Sequence, residues 1–396
     1  MRGIPIPDQE ADFTADPSEL FFDLAFVFAF SRLVFHLVHH PDWTGVGEFV
    51  LLFTMIWLPW SQFTWSANAV AGNSRIVRFL FMVATAVSIP MAGSVNAAFD
   101  GGAPAFAISL AIILVIGLLM IVTADSGDAV TDTGLTETSI RWAAPNFLAI
   151  AIMVGGAFLD GRARVVAWVV AMLVVLWGTI QAGQGDWVTR AGHFAERHGL
   201  IIIVALGEVI VAVAVPVVDA LAEEDAGLPG RSVIVLAAAG AFAGLLWWGY
   251  FDRPNPAIEH RHSELTNGQE GGRFARDVYT YSHLPLVAGI ILAAAALEEI
   301  TLHPGDVLPE PFRWMLFAGL ASYLLAVIIF IYRAYGVLAR ERLATIVVLL
   351  ALTLVAGSVD GVVLLVMVDL LLLGMLVAEH VRVEGGLRVR AAATTG

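Results

Sequence analysis

Residues 19–40 read ELFFDLAFVFAFSRLVFHLVHH, an apolar run of helix length that nevertheless carries Glu19, Asp23, Arg32 and His36. About 20 mostly apolar residues suffice to cross a bilayer, and a charge inside such a span costs roughly 2.5–3.5 kcal/mol. Glu19 and Asp23 are four residues apart and therefore share one helix face, while Arg32 turns roughly the other way. We predict that the two carboxylates form one functional unit. The alternative is that Glu19 only starts the helix at the membrane edge and Asp23 alone is submerged.

The composition is that of a polytopic membrane protein. Of 396 residues, 59% are hydrophobic and 14% are charged, whereas about a quarter of a soluble domain is charged. The basic residues are all Arg, and there is no Cys, which excludes disulfides and thiolate metal sites. The net charge is −14 without any basic cluster, so nucleic acid is not expected as a partner. Residues 1–18 lack the pattern of a cleaved signal, and the first span is expected to direct insertion.

Apolar runs bounded by Pro, Gly and charged residues predict an all-α transmembrane helix bundle of about twelve spans. The predicted spans are 19–40, 46–66, 76–96, 103–123, 142–158, 163–182, 196–217, 231–251, 280–299, 312–332, 342–357 and 360–380. They group into an N-terminal segment 1–18, a first half 19–182, a second half 196–380 and a tail 381–396.

The Arg residues predict the orientation of these spans. When an Arg within the first three residues of a span is counted with the connection before it, 16 Arg fall in the termini and alternate connections on one side, and 4 fall on the other side. Because cytoplasmic segments are rich in Arg, this asymmetry predicts a plasma-membrane protein with both termini in the cytoplasm.

The seventh span begins like the first one. It starts at Glu196 and carries a second carboxylate, Glu208, deep in the run, and the two starts are 177 residues apart. Both the second and the eighth span end in aromatic clusters, namely Trp57, Trp60, Phe63 and Trp65, and Trp247, Trp248, Tyr250 and Phe251. These features predict a parallel repeat of six plus six helices. The alternative for the tryptophans is anchoring at the membrane interface, where aromatic residues are common.

Four segments carry a family resemblance. They are ELFFDLAFVFAF from Glu19, ERHGLIIIVALGEVIVAV from Glu196, WWGYFD from Trp247 and YSHLPLVAGII from Tyr281. Together they resemble bacterial low-temperature-requirement A (LtrA) proteins along most of the chain. The resemblance implies a multi-pass bacterial membrane protein and does not imply a defined activity.

One segment departs from the pattern that the resemblance implies. After the second span, an exit similar to Asn-Arg-Phe-Asp is expected, but this chain has Ser-Ala-Asn-Ala-Val from Ser66 to Val70. Any role of that Arg and Asp is therefore not carried over to this chain.

Two further carboxylates lie deep in apolar runs. Glu208 is eleven residues from Arg197, and the next ionisable residue after it is Asp219. A carboxylate at that depth must be neutral, paired or beside water, which suits a proton or cation site. The alternative is a protonated Glu that hydrogen-bonds a neighbouring helix. Asp369 is similarly deep, and its role is open between structure and function.

The histidines give weaker indications. His193 and Glu196 are spaced as His-x-x-Glu, the reverse of the Glu-x-x-His pairs of di-iron carboxylate helices. Histidine is too sparse for a His-rich metalloenzyme, and we predict no metal and no cofactor. His283 follows Tyr279 and Tyr281 at the start of the ninth span, where these residues either line a cavity or form an ordinary aromatic border.

No nucleotide-binding, nucleophile-elbow or H-E-x-x-H motif occurs in the sequence. The leading hypothesis is a proton- or ion-coupled carrier or channel-like protein whose partners are the lipid bilayer and a proton, small ion or substrate. The alternative is a membrane-embedded enzyme for a lipid-like or terpenoid substrate. There the carboxylates act as acids and an aromatic pocket stabilises cationic charge, with candidate wall residues Trp60, Trp65, Trp247 and Trp248. Tyr250, from the same cluster as Trp247, is a further functional candidate. A static structural or regulatory protein is a third interpretation. No oligomeric state is predicted.

Overall fold

A computed structural model describes residues 15–70, 74–122, 134–182, 189–224, 230–265 and 269–394. The helices are α1 (Pro17–His39), α2 (Trp43–Ala69), α3 (Arg75–Gly93), α4 (Ala103–Val122), α5 (Gly134–Gly156), α6 (Gly161–Ala182), α7 (Ala191–Glu224), α8 (Gly230–Phe251), α9 (Pro254–Glu264), α10 (Gln269–Phe274), α11 (Ser282–Leu302), α12 (Glu310–Tyr335), α13 (Arg340–Val355) and α14 (Gly361–Thr394). A π-helix, Ala275–Tyr281, joins α10 to α11. The prediction of an all-α membrane bundle is confirmed.

Eleven helical stretches in the described ranges are long and apolar enough to span a bilayer. They correspond to the predicted spans with one exception. The predicted span 142–158 falls in α5, whose apolar part, Ala143–Gly156, is shorter than the others. Because only a bilayer can cover so many apolar side chains, the chain is a multi-pass membrane protein.

The first helix shows how sequence periodicity divides buried from lipid-facing residues. Phe22 and Phe26 are fully buried, whereas Phe21, Leu24 and Phe28 are exposed on the opposite face. Residues three or four apart on a helix share a face, which explains the division. The polar residues Glu19 and Asp23 lie on the buried face.

At the centre of the bundle, α1 packs against α7, and α11 packs against both of them. The neighbours of α1 in the first half include α2 and α3, and the neighbours of α7 in the second half include α8 and α11. Two further pairs of contacts resemble each other. Helix α3 packs on α4, and α11 packs on α12. Helix α2 packs on α6, and α8 packs on α14. The surface where α1 meets α7 is called the seam below.

The described parts of the polar connection 252–279, which are residues 252–265 and 269–279, fold back onto the bundle. Helix α9 packs against α7 and α12, and α10 leads into the π-helix. His262, Phe274 and Tyr279 are buried there among aromatic rings. This connection therefore packs over α7 and α12.

The close approach of α11 and α12 depends on two glycines. A Cβ atom at Gly289 would collide with the carbonyl oxygen of Gly319, and a Cβ at Gly319 would collide with that of Gly289. Glycine at both positions lets the two backbones touch, as is common between membrane helices.

Candidate functional site

The seam buries two acidic and two basic side chains that face each other. On α1, Glu19 and Asp23 are one turn apart, and on α7, His193 and Arg197 are one turn apart. His193 Nε2 lies 3.0 Å from Glu19 Oε2, and Arg197 Nε lies 3.6 Å from the same oxygen. Arg197 Nη2 lies 3.0 Å from Asp23 Oδ1. These four residues, called the seam cluster, are almost entirely shielded from solvent.

Glu19 has two roles in this arrangement. Its Oε1 accepts the Asp16 backbone N–H at 3.0 Å, while Asp16 Oδ1 accepts the Ser18 N–H at 2.9 Å, which forms a capping box at the start of α1. Its Oε2 meets His193 and Arg197. Glu19 is thus a helix-start residue and also a buried member of the cluster, so Asp23 is not the only buried carboxylate of α1.

Asp16, just before the first span, is tied to α3. Arg78 Nη2 donates to Asp16 Oδ2 at 2.7 Å. Partial burial raises the pKa of Asp16, but the bonds from Arg78 and Ser18 outweigh burial and hold this pKa below its usual value.

Asp23 is held by α2 as well as by α7. The Trp60 indole Nε1–H donates to Asp23 Oδ1 at 2.8 Å, and the Arg197 guanidinium lies 5.8 Å from the Trp60 ring centroid. Asp23 Oδ2 has no hydrogen-bond partner among the described residues. One carboxylate oxygen therefore remains able to accept a proton or another donor.

The charges of the seam cluster do not balance by themselves. Ionised Glu19 and Asp23 contribute two negative charges, and Arg197 contributes one permanent positive charge. Neutrality requires one more proton, on His193 or on a carboxylate. Because a net charge buried at this depth is costly, the cluster is suited to hold a single additional proton.

A layer of aromatic rings and histidines lies next to the cluster. The His198 ring lies 5.0 Å from the Trp60 ring, 5.0 Å from Tyr279 and 4.9 Å from His283. Its Nδ1–H donates to the Phe194 carbonyl at 2.8 Å, and its Nε2 has no partner among the described atoms. His198 therefore lies beside Trp60, next to the seam cluster.

The π-helix connects this layer to α2. The wide turn of a π-helix disturbs the usual backbone pairing and is frequent at functional sites. The Thr280 carbonyl accepts the Trp57 Nε1–H at 3.1 Å, and the Thr280 hydroxyl accepts the Trp65 Nε1–H at 2.9 Å. These bonds fix both indoles and could not be foreseen from the sequence, because a π-helix has no clear sequence signal.

His283, one of the candidates, accepts a hydrogen bond from another candidate. Its Nδ1–H donates to the Val278 carbonyl at 2.9 Å, which leaves Nε2 to accept the Tyr250 hydroxyl at 2.8 Å. The Tyr250 oxygen also lies 3.1 Å from Asn255 Oδ1. Tyr250 and His283 are therefore packed together inside the protein.

Glu208 belongs to a different place on the seam. The Ser31 hydroxyl donates to Glu208 Oε2 at 2.6 Å, and Glu298 of α11 lies within electrostatic range. Ser31 follows Asp23 by eight residues, or about 12 Å along α1. Phe26 on α1 and Ile201 on α7, both buried and apolar, come between these positions along their helices. Asp23 and Glu208 therefore do not share one set of partners.

The remaining candidates are dispersed. Glu196 is half-buried and accepts the Ala15 backbone N–H at 2.6 Å. Trp247 and Trp248 are 45% and 56% exposed on the outer surface, so they do not line a pocket with Trp60. Asp369 lies on α14, away from the seam, and is discussed below.

An apolar cavity of about 460 Å³ lies beside the seam. It runs along α2 and α6 and is bounded at one end by the π-helix. Trp57, Trp65 and Thr280 line it, but Trp60 and the carboxylates of the seam do not. The cavity therefore offers room for an apolar ligand without direct contact to an acid.

Within the described residues, no group of three or more His, Asp or Glu side chains is arranged to hold a metal ion. His193 and Glu19 approach each other, but the third nearby group is the Arg197 guanidinium, which is a cation and not a ligand. The described contacts of the cluster are ion pairs and hydrogen bonds.

Comparisons with known proteins give a consistent result. The model of the family described as bacterial low temperature requirement A protein (LtrA) matches residues 14–377. An uncharacterized protein of Rhizobium meliloti (strain 1021) is 28% identical over 295 residues, which cover 72% of this chain and 69% of that protein. No solved structure matches.

Replacement of Arg197 tests the energetic role of the cluster. Arg197→Met leaves two buried carboxylates without their cation, and we expect it to lower the free energy of unfolding by about 3–5 kcal/mol. Arg32→Met is the matched control, since it removes one hydrogen bond to Asn96 and should cost about 1 kcal/mol. Denaturant titration in mixed micelles measures both variants. Equal losses of unfolding free energy in Arg197→Met and Arg32→Met would contradict a central role of Arg197.

Proposed function

The chain belongs to the bacterial low temperature requirement A (LtrA) family, and we propose that it is a proton-coupled membrane carrier. The seam cluster is its proton-binding element. The observation that carries this proposal is the buried set of two carboxylates, one permanent cation and one histidine, which is neutral only with one additional proton.

Two groups can hold that proton. Protonated His193 donates to Glu19, which satisfies the 3.0 Å contact and completes a second ion pair. Alternatively, Asp23 takes the proton on Oδ2, which has no partner among the described residues, and keeps its Trp60 bond through Oδ1. A shift between these two arrangements changes how strongly α1 is held to α7. Proton binding is thereby linked to the packing of the two halves.

The apolar stretch of the seam supports a carrier rather than an open channel. Between the seam cluster and Glu208, the buried residues of α1 are Phe26, Ala29 and Phe30, and those of α7 are His198, Gly199, Ile201, Ile202, Ala205 and Leu206. Apart from His198, which lies next to the cluster, the buried side chains of this stretch are apolar. A carrier requires such a block in any single state, because it exposes its site to one side at a time.

The predicted division into halves 19–182 and 196–380 fits this mechanism. The packing of α1 on α3 corresponds to that of α7 on α11, and the packing of α2 on α6 corresponds to that of α8 on α14. This correspondence supports a parallel repeat whose first helices meet at the seam. Rocking of one half against the other would then move the cluster between the two membrane faces.

A membrane-embedded enzyme is the second candidate. The inward position of Trp57 and Trp65 around the 460 Å³ cavity favours it. An acid catalyst must reach the substrate within hydrogen-bond distance or through one water. Since Glu19, Asp23 and Glu208 do not line this cavity, the carrier remains the better supported function.

The proton coupling is tested in proteoliposomes that contain the pH indicator pyranine. With an imposed pH gradient and a panel of solutes, the wild type should show solute-dependent proton movement for at least one solute class. Asp23→Asn and His193→Gln should reduce it at least about tenfold, since each removes one protonation site. Glu196→Gln is the control, because Glu196 contacts a backbone N–H outside the cluster.

Two results would overturn the carrier proposal. One is solute uptake by the wild type that is independent of the pH gradient. The other is solute-dependent proton movement that is equally fast in Asp23→Asn, His193→Gln and the Glu196→Gln control.

The Arg asymmetry supports an orientation in the plasma membrane with both termini cytoplasmic. In this orientation the seam cluster lies toward the cytoplasmic end of α1 and α7, and Glu208 lies nearer the outer face. Reporter fusions at residues 2 and 396 should both give cytoplasmic signals. A periplasmic signal at either terminus would refute the even number of spans.

A further inference from the structure

A second cavity, of about 800 Å³, lies between α8 and α14, away from the seam. Gly244, Trp247 and Trp248 line it from α8, while Asp369 and Leu373 line it from α14. We call it the α8–α14 groove. Its size is within the range of small-molecule sites, and most of its wall is apolar.

Asp369 is the unusual member of this wall. It is 9% exposed and lies eight residues into α14, about 12 Å from the start of the helix and therefore near mid-membrane. Its Oδ1 atom has no hydrogen-bond partner among the described residues. An intramembrane carboxylate normally pairs with another group or marks a ligand path.

The other charged residues of the groove are already paired. Arg342 Nη2 lies 3.0 Å from Glu379 and donates to the Gly249 carbonyl at 2.8 Å. Arg253 Nε lies 3.3 Å from Asp252. Three carboxylates thus face two guanidinium groups, and the excess negative charge belongs to Asp369.

His380 is the remaining titratable group of the groove. Its Nδ1 contacts Arg253 at 2.9 Å and its Nε2 contacts Glu384 at 3.2 Å. Both ring nitrogens therefore have partners near the end of the groove, and His380 does not supply a counter-charge that is free to neutralise Asp369.

We propose that the α8–α14 groove binds a lipophilic organic cation, such as a quaternary phosphonium or ammonium ion with apolar substituents. Asp369 supplies the negative charge, the apolar wall covers the substituents, and Trp247 and Trp248 offer aromatic faces that attract cations. A bare metal ion fits poorly, because it needs several oxygen ligands, and no such set exists in the described part of the chain.

The groove is reached from the bilayer. Leu370 on α14 and Trp248 on α8 belong to its wall and are also exposed on the outer surface. An amphiphilic cation that dissolves in the membrane can therefore enter sideways. This inference does not depend on proton coupling at the seam.

The test is binding of radiolabelled tetraphenylphosphonium to the full-length protein in lipid nanodiscs, with empty nanodiscs subtracted. The wild type should bind saturably, and Asp369→Asn should weaken binding at least about tenfold because the charge is lost. Asp369→Glu should restore most of the affinity. Triphenylphosphine oxide, which is neutral and of similar shape, should not compete.

Steric and matched controls accompany this test. Gly244→Trp should abolish binding by filling the groove, since a Cβ at Gly244 meets no atom within 4 Å. Asp360→Asn, at the start of the same helix and paired with Arg231, should leave binding unchanged, as should Asp23→Asn in the seam.

The proposal is overturned if the wild type binds no more cation than empty nanodiscs. It is also overturned if Asp369→Asn binds as tightly as Asp360→Asn. If Asp369→Asn fails to fold, the Gly244→Trp variant decides. A folded Gly244→Trp protein that binds the cation as tightly as the wild type overturns the proposal.

Discussion

The buried guanidinium of Arg197 is the interaction on which the central packing depends. It lies between Glu19 and Asp23 at a depth where neither carboxylate can be left ionised and alone. The surrounding elements hold this geometry. The capping box aligns Glu19, Trp60 fixes Asp23 from α2, and the aromatic layer around His198 closes the side toward α11. A cluster of this kind is weak evidence for stability as such, since apolar replacements often fold as well. Its presence where α1 meets α7 supports a functional reason.

Sequence periodicity was sufficient to predict the class of fold and which face of α1 is buried. The spacing of Glu19 and Asp23 correctly indicated one shared face, because both residues belong to the same helix. The partner of Asp23 was not predictable. Arg197 is 174 residues away from Asp23 in the sequence. The pattern of α7 shows how far Arg197 lies from Glu208, but it does not show which neighbouring helix Arg197 faces. The i, i+4 spacing of His193 and Arg197, which mirrors that of the two carboxylates, is the only signal that could have suggested the pairing.

Other parts of the site depend on features that carry little sequence signal. The π-helix that fixes Trp57 and Trp65 and the burial of the polar connection 252–279 both result from tertiary packing. Aromatic clusters at helix ends are ambiguous for the same reason. In α2 the indoles turn inward, whereas Trp247 and Trp248 in α8 turn outward, although the two clusters look alike in the sequence. The two lateral cavities differ correspondingly. The one between α2 and α6 has no carboxylate in its wall, and the one between α8 and α14 contains Asp369.

The central claim is that the seam cluster holds one exchangeable proton that His193 and the carboxylates share. Infrared difference spectroscopy across a pH titration of the protein in lipid measures it directly, because a protonated carboxyl group has its own C=O stretching band. We expect His193→Gln to change this band by moving the proton onto a carboxylate, and Asp23→Asn in the same background to remove the change. A carboxyl titration that is identical in the wild type, His193→Gln and the double variant would contradict it.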